Sequence, residues 1–236
     1  MPAEKPLSRV TVAAFESPLR KASLIGTGPK PAHANLPPNL HDIRATAGKE
    51  HIIRRRPWKH VTGICLHQTA CVLGEKPTRW NNVGCHIGIT RSGKIIWLHD
   101  FDFAVVHGNG WNSRTVGIEI DGTYEGIEGN DRTFWRPKGS KAKPTPLTQE
   151  TIDATKAAIQ WIYDEVACHD GEVKVLVAHR QASKTRRSDP GSAIWKSIAL
   201  PMQKELGLGD GGKGFTIGSG LPIPTEWNPA YKGIKY

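Results

Sequence analysis

Between positions 60 and 120 the chain alternates short apolar, β-branched runs with polar turn residues, and a single long stretch with helical spacing follows. VTGICL (61–66) predicts a buried strand that ends at His67. CHIGIT (85–90) and KIIWLHD (94–100) flank Arg91-Ser92-Gly93 and predict a hairpin. FAVVH (103–107) and TVGIEI (115–120) add two strands, with Gly108, Gly110 and Asn112 in the loop between them. Strand alternation puts Glu119 on the sheet face opposite Ile118 and Ile120.

Residues 122–147 carry many Gly, Pro and charged positions and predict a long loop. Thr148 then supplies an N-cap and Glu150 an acidic first turn. Ile152, Ile159, Ile162 and Val166 recur at helical spacing, with Thr155 on the same stripe, so a helix is predicted over 149–168. VKVLVA (173–178) predicts a strand ending at His179. Asp189-Pro190-Gly191 reads as a turn, Ser192 as a cap, and 193–206 as a last helix that Pro201 should kink or end.

Strands mixed with one long and one late helix predict an α/β domain with a single mixed central β-sheet flanked by helices. There is no regular βαβ alternation, GxGxxG or P-loop, which argues against a Rossmann or nucleotide-binding fold. Three regions follow: an extended Pro-rich N-terminal arm (1–45), a catalytic-type domain (46–207) and a glycine-rich C-terminal tail (208–236).

Composition narrows the function. The 236 residues are 38% hydrophobic, and no 18-residue apolar run is present, so no membrane span is expected. The N-terminus lacks the apolar core of a signal peptide, and synthesis in the cytoplasm is expected. The net charge of +10 suits polyanionic partners such as nucleic acid, anionic lipid or an acidic cell wall, and solubility explains it equally well. The short clusters Arg54-Arg55-Arg56 and Arg186-Arg187 lack any helix-turn-helix or aromatic-basic pattern, so no nucleic-acid partner is expected. Four cysteines without a CxxC pair do not form a disulfide scaffold in a chain this long; reduced core thiols are expected, although Cys65 and Cys71 are near enough to bridge.

Candidate chemistry gathers at strand ends. His67 and His179 each close a predicted strand, and Asp189 follows His179 by ten positions in a turn. Two imidazoles and one carboxylate can hold Zn²⁺ and leave a fourth position open, as catalytic zinc requires. Taken singly, each histidine is more often a satisfied structural residue than a metal ligand.

LHQTA (66–70), CHIGITRSGKIIWLHD (85–100), VHGNGWNSRTVGIEI (106–120) and AHRQASKTRRSDPG (178–191) occur in an ordered series. Together they resemble the zinc-dependent N-acetylmuramoyl-L-alanine amidases that share a fold with peptidoglycan recognition proteins and phage lysozyme-type amidases. The resemblance spans about 60–206 and is most specific in the last segment. It implies that His67, His179 and Asp189 are zinc ligands. It implies also that Glu119 is the carboxylate facing the metal, and that Arg187 occupies the place of a family lysine near the transition state.

Two departures stand out. Cys85 replaces an active-site tyrosine of many relatives, and arginine at 187 replaces lysine, with Lys184 a nearby alternative. The implied reaction hydrolyses the amide between the N-acetylmuramic acid lactyl group and L-alanine. Zinc lowers the pKa of a bound water toward about 7, Glu119 is the general base and then acid, and Arg187 is a second positive group at the oxyanion. A solvated strand carboxylate is the alternative for Glu119.

His107, Trp111 and Asn112 are candidates for substrate contact, and His86, Trp80 and Trp135 are secondary ones; core packing is the alternative for each histidine and tryptophan. The implied partners are peptidoglycan and an acidic wall surface, with the protein a monomer. The implied setting is a bacteriolytic endolysin acting on the wall after release, a recycling enzyme for wall fragments in the cytoplasm, or a secreted effector. The alternatives are a non-catalytic peptidoglycan-binding module and a basic binder of nucleic acid or anionic surfaces.

Overall fold

The computed structural model covers residues 34–135 and 143–236. Most of the proline-rich arm and part of the 122–147 loop therefore lie outside the described residues.

Among the described residues, eight strands form two sheets. β1 (Leu40–Asp42), β5 (Ile95–Trp97), β4 (Ile87–Ile89), β7 (Thr115–Ile120), β3 (Gly63–Gln68) and β8 (Val175–Ala178) make a six-stranded sheet in that spatial order. β4 and β5 are antiparallel across the Arg91-Ser92-Gly93 turn, and the other neighbours are parallel. The sheet is thus mixed, as the pattern predicted. β2 (Ile52–Arg55) and β6 (Phe103–Val105) pair separately.

Neither β1 nor β2 stands out in the sequence, because each is short and exposes much of its length. β1 takes part of the arm into the sheet edge, held by backbone register to β5.

α1 (Gln149–Cys168) has the predicted bounds, and the Thr148 hydroxyl accepts from the Thr151 N–H at its start. Its buried stripe packs on Ile64, Leu66, Val116, Ile118 and Ile120 of the sheet in one core. Thr155 lies buried in that stripe because its hydroxyl donates to the Thr151 carbonyl, leaving the methyl to pack. The same core is completed by α2 (Ser192–Ile194), which runs through a π-helical turn (Trp195–Ala199) into α3 (Leu200–Leu206). Pro201 does not end this helix. The wider turn just before it takes up the ring that a regular α-helix would exclude. Gly191, not Ser192, sits at the N-cap with φ +107°, and the Ser192 hydroxyl instead accepts from the Glu128 N–H.

The C-terminal segment has no regular elements, yet Leu208, Ile223 and Trp227 are buried in the main core. No helix among the described residues is long and apolar enough to cross a membrane.

Candidate metal centre

The sheet face turned away from α1 carries the polar residues. In β3, Ile64 and Leu66 enter the core while Cys65 and His67 face the other way. Parallel register sets His67 beside Glu119 of β7. β8 ends at Ala178, and a short 3-10 turn (His179–Gln181) swings His179 over the end of β3. Asp189 returns from the following loop.

These residues converge. His67 Nδ1 is 2.9 Å from His179 Nδ1, and His179 Nδ1 is 3.0 Å from Asp189 Oδ2. His67 Nδ1 is 4.0 Å from both Asp189 Oδ2 and Glu119 Oε1. All three proposed ligands are buried, with one donor atom from each lying within 4.8 Å of the others.

The outer edges of both imidazoles are engaged. His67 Nε2 is 3.0 Å from His107 Nδ1, and His179 Nε2 is 2.7 Å from Asn109 Oδ1. The Gln68 N–H donates to Asp189 Oδ1 at 3.0 Å, which leaves Oδ2 for the centre. Gln68 also ties down the loop around Asp189: its side-chain amide donates to the carbonyls of Tyr124, Ser188 and Pro190 and accepts from the Tyr124 N–H.

Electrostatics agrees with a site that holds a cation. Burial, followed by the neighbouring His179 and His107, pushes the His67 pKa well down, so the imidazole is neutral and its lone pair is free for a metal. Burial and then the Asp189 charge push Glu119 well above the usual carboxylate range, against an opposing pull from Arg186. The Glu119 side chain is 15% exposed, and its Oε2 is buried with no hydrogen-bond partner. If His179 donates from Nε2 to Asn109, its Nδ1 lone pair faces the Asp189 carboxylate. Two acceptors at that distance repel each other unless positive charge lies between them, and the donor set fits zinc.

A second trio, Cys65, His67 and His107, is also close-set. It lies behind His67, whose Nε2 is already bonded to His107. Burial raises the Cys65 thiol pKa.

The remaining sequence candidates fall elsewhere. Arg187 is exposed and turns to the C-terminal segment, donating to the Tyr236 carbonyl with its guanidinium 4.6 Å from the Tyr236 ring centre. Arg186, not Arg187, is the basic residue whose charge acts on His67 and Glu119. His107 and Trp111 are buried, Trp111 at 2% exposure against Phe215. The Asn112 side chain accepts from the His107 and Gly108 N–H groups and so shapes its own loop. The structure thus buries His107 and Trp111, and leaves Asn112 half-buried with its side-chain oxygen engaged by its own loop. Trp80 is buried over Gly88, and Trp135 is 52% exposed. His86 is buried, accepting from the Gly117 N–H and reaching the Phe103 carbonyl through its other nitrogen. Cys85 is buried in an apolar cluster with Trp80, Ile96 and Leu98. Cys65 and Cys85 are free buried thiols, as expected, but the free thiol of Cys71 is exposed.

Sequence reasoning missed Gln68, Asn109 and Arg186. Gln68 directly follows a proposed ligand. Asn109 has φ +55°, a conformation that asparagine tolerates better than most residues.

The sequence profile of the N-acetylmuramoyl-L-alanine amidase family matches residues 57–192, and the chain belongs to that family. No curated protein matches it in sequence. Among solved structures it is similar to the endolysin N-acetylmuramoyl-L-alanine amidase LysCS of Clostridium intestinale. That match has a TM-score of 0.50 at 14% identity and covers 75% of this chain and all of that one. LysC of the same organism matches with a TM-score of 0.49 at 14% identity, over 73% of this chain and 99% of its own. Drosophila PGRP-SA, a peptidoglycan recognition protein, matches with a TM-score of 0.46 at 14% identity, over 71% and 91%. The LysCS likeness supports the shared fold.

Proposed function

We propose that this protein is a zinc-dependent amidase that hydrolyses the bond between the muramyl lactyl group and L-alanine of peptidoglycan. One observation carries the reading: His67, His179 and Asp189 bring one ligand atom each to within 4.8 Å of the others, with the Glu119 carboxylate, whose Oε2 is buried and unpartnered, beside them. A binding module has no need for that buried carboxylate.

His67, His179 and Asp189 would hold the metal. Zinc, when bound, supplies a Lewis acid that polarises a carbonyl and brings the pKa of water to about 7. Glu119 takes the proton of the attacking water and passes it to the alanine nitrogen as the C–N bond breaks. A positive charge near Glu119 draws its raised pKa back toward the range a base needs. Arg186 offsets negative charge developing on the lactyl oxygen. The neutral His107 and the Asn109 amide hold the two imidazoles in orientation. We place the reaction at the cell wall, whose acidic polymers the net charge of +10 favours.

Purified protein supplied with zinc and isolated peptidoglycan should release stem peptides bearing a new free alanine amine, detected by mass spectrometry. Binding to peptidoglycan without any release would sink the enzyme reading and leave a recognition module.

A further inference from the structure

The loop between β6 and β7 touches both proposed ligand histidines from outside, at His107 and at Asn109. We propose that this loop is a clamp that fixes the ring orientation and tautomer of both ligands, with Asn109 as the positioning residue for His179. The inference rests on the metal reading above.

Both ring nitrogens of each imidazole are spoken for. His179 Nε2 meets Asn109 Oδ1 at 2.7 Å, which leaves Nδ1 to face His67 and Asp189. His67 Nε2 meets His107 Nδ1 at 3.0 Å, and the other nitrogen of His107 lies 3.4 Å from the Thr115 carbonyl. If His107 donates to that carbonyl, its Nδ1 accepts from His67, and His67 Nδ1 is bare. Both ligands then present lone pairs inward and N–H groups outward, an arrangement that raises ligand basicity and lowers the entropy lost on binding metal.

The loop is held by its own hydrogen bonds and packing. The Asn112 side chain accepts from the backbone N–H of His107 and Gly108, fixing the chain just before Asn109. Trp111 anchors the far end in the cluster with Cys65, Val177 and Ala182. Asn109 is exposed and makes its contact from the rim. Replacing it therefore empties no core volume, whereas truncating the buried His107 would.

The test is zinc affinity, measured by chelator competition on the full chain. Asn109→Gly keeps the left-handed backbone and removes the acceptor; it should weaken zinc binding about 10- to 100-fold while the thermal midpoint in excess chelator stays at the wild-type value. Asn109→Asp restores an acceptor and should bind zinc within a few-fold of wild type. Wild-type affinity in Asn109→Gly, or equal weakening in both variants, overturns the clamp and leaves the metal site standing. Absence of zinc binding by the wild type overturns the metal site and the clamp with it.

Discussion

Asp189 gives one carboxylate oxygen to the Gln68 N–H and the other to His179, so a single side chain is both anchored and offered. Replacing His67, His179 or Asp189 by alanine should abolish zinc retention, read as metal content after gel filtration. Glu119→Gln should retain zinc and lose turnover by about 10²- to 10⁴-fold; full activity in that variant would refute the base assignment. The two arginines separate by direction. Arg186 ends a 3-10 turn (Lys184–Arg186), where successive side chains point about 120° apart. One therefore acts on the centre while its neighbour turns to Tyr236. Arg186→Ala should lower kcat by about 10²- to 10³-fold, and Arg187→Ala should leave kcat near wild type. Equal losses in steady-state assays would show that direction does not matter here. A motif aligned residue by residue cannot see this distinction, because it depends on the turn that the loop adopts.

At the scale of elements, the alternation of β7 was legible and decisive. Ile118 and Ile120 face the core, and Glu119 faces the centre beside His67. The boundaries of α1 and β7 were equally legible, since cap, stripe and strand pattern agree there. What lies outside regular periodicity was not. The loop from His107 to Asn112 reads as polar and open, but its chain folds inward, burying His107 and Trp111. Gly117 shows the physical reason. A Cβ added there would lie 2.6 Å from His107 Nδ1, so a missing side chain in β7 makes the space that His107 fills. Gly117→Ala should cost about 1–3 kcal/mol in urea unfolding through overpacking, and should weaken zinc retention because His107 carries His67. Unchanged affinity with reduced stability would separate the fold of β7 from the orientation of His67.

Across the whole molecule, stability depends on pieces that composition alone set aside. His99 is buried with neither ring nitrogen hydrogen-bonded, and burial, then Lys49 and His51, pushes its pKa down to about 4. Between pH 4 and 6.5 the unfolded chain therefore binds more protons at this position than the folded one. Stability should rise with pH across that window and fall by at most about 3 kcal/mol as pH drops through it. His99→Gln should flatten the slope in thermal unfolding; an unchanged slope would assign it to other groups. The C-terminal segment contributes at the same scale. Trp227 is fully buried 5.9 Å from the Trp195 ring, donates to the Gly126 carbonyl, and lies 4.9 Å under the Arg180 guanidinium. Arg180 in turn donates to the carbonyls of Pro222 and Arg187, tying the loop between His179 and Asp189 to the C-terminal segment. Glycine and proline content marks this segment as a tail, yet its tryptophan fills the volume between the second helix and the ligand loop. Trp227→Ala should therefore remove about 3–5 kcal/mol in a single unfolding transition followed by urea. A loss below about 1 kcal/mol, or a separate early transition, would show that the segment lies on the domain without belonging to its cooperative core.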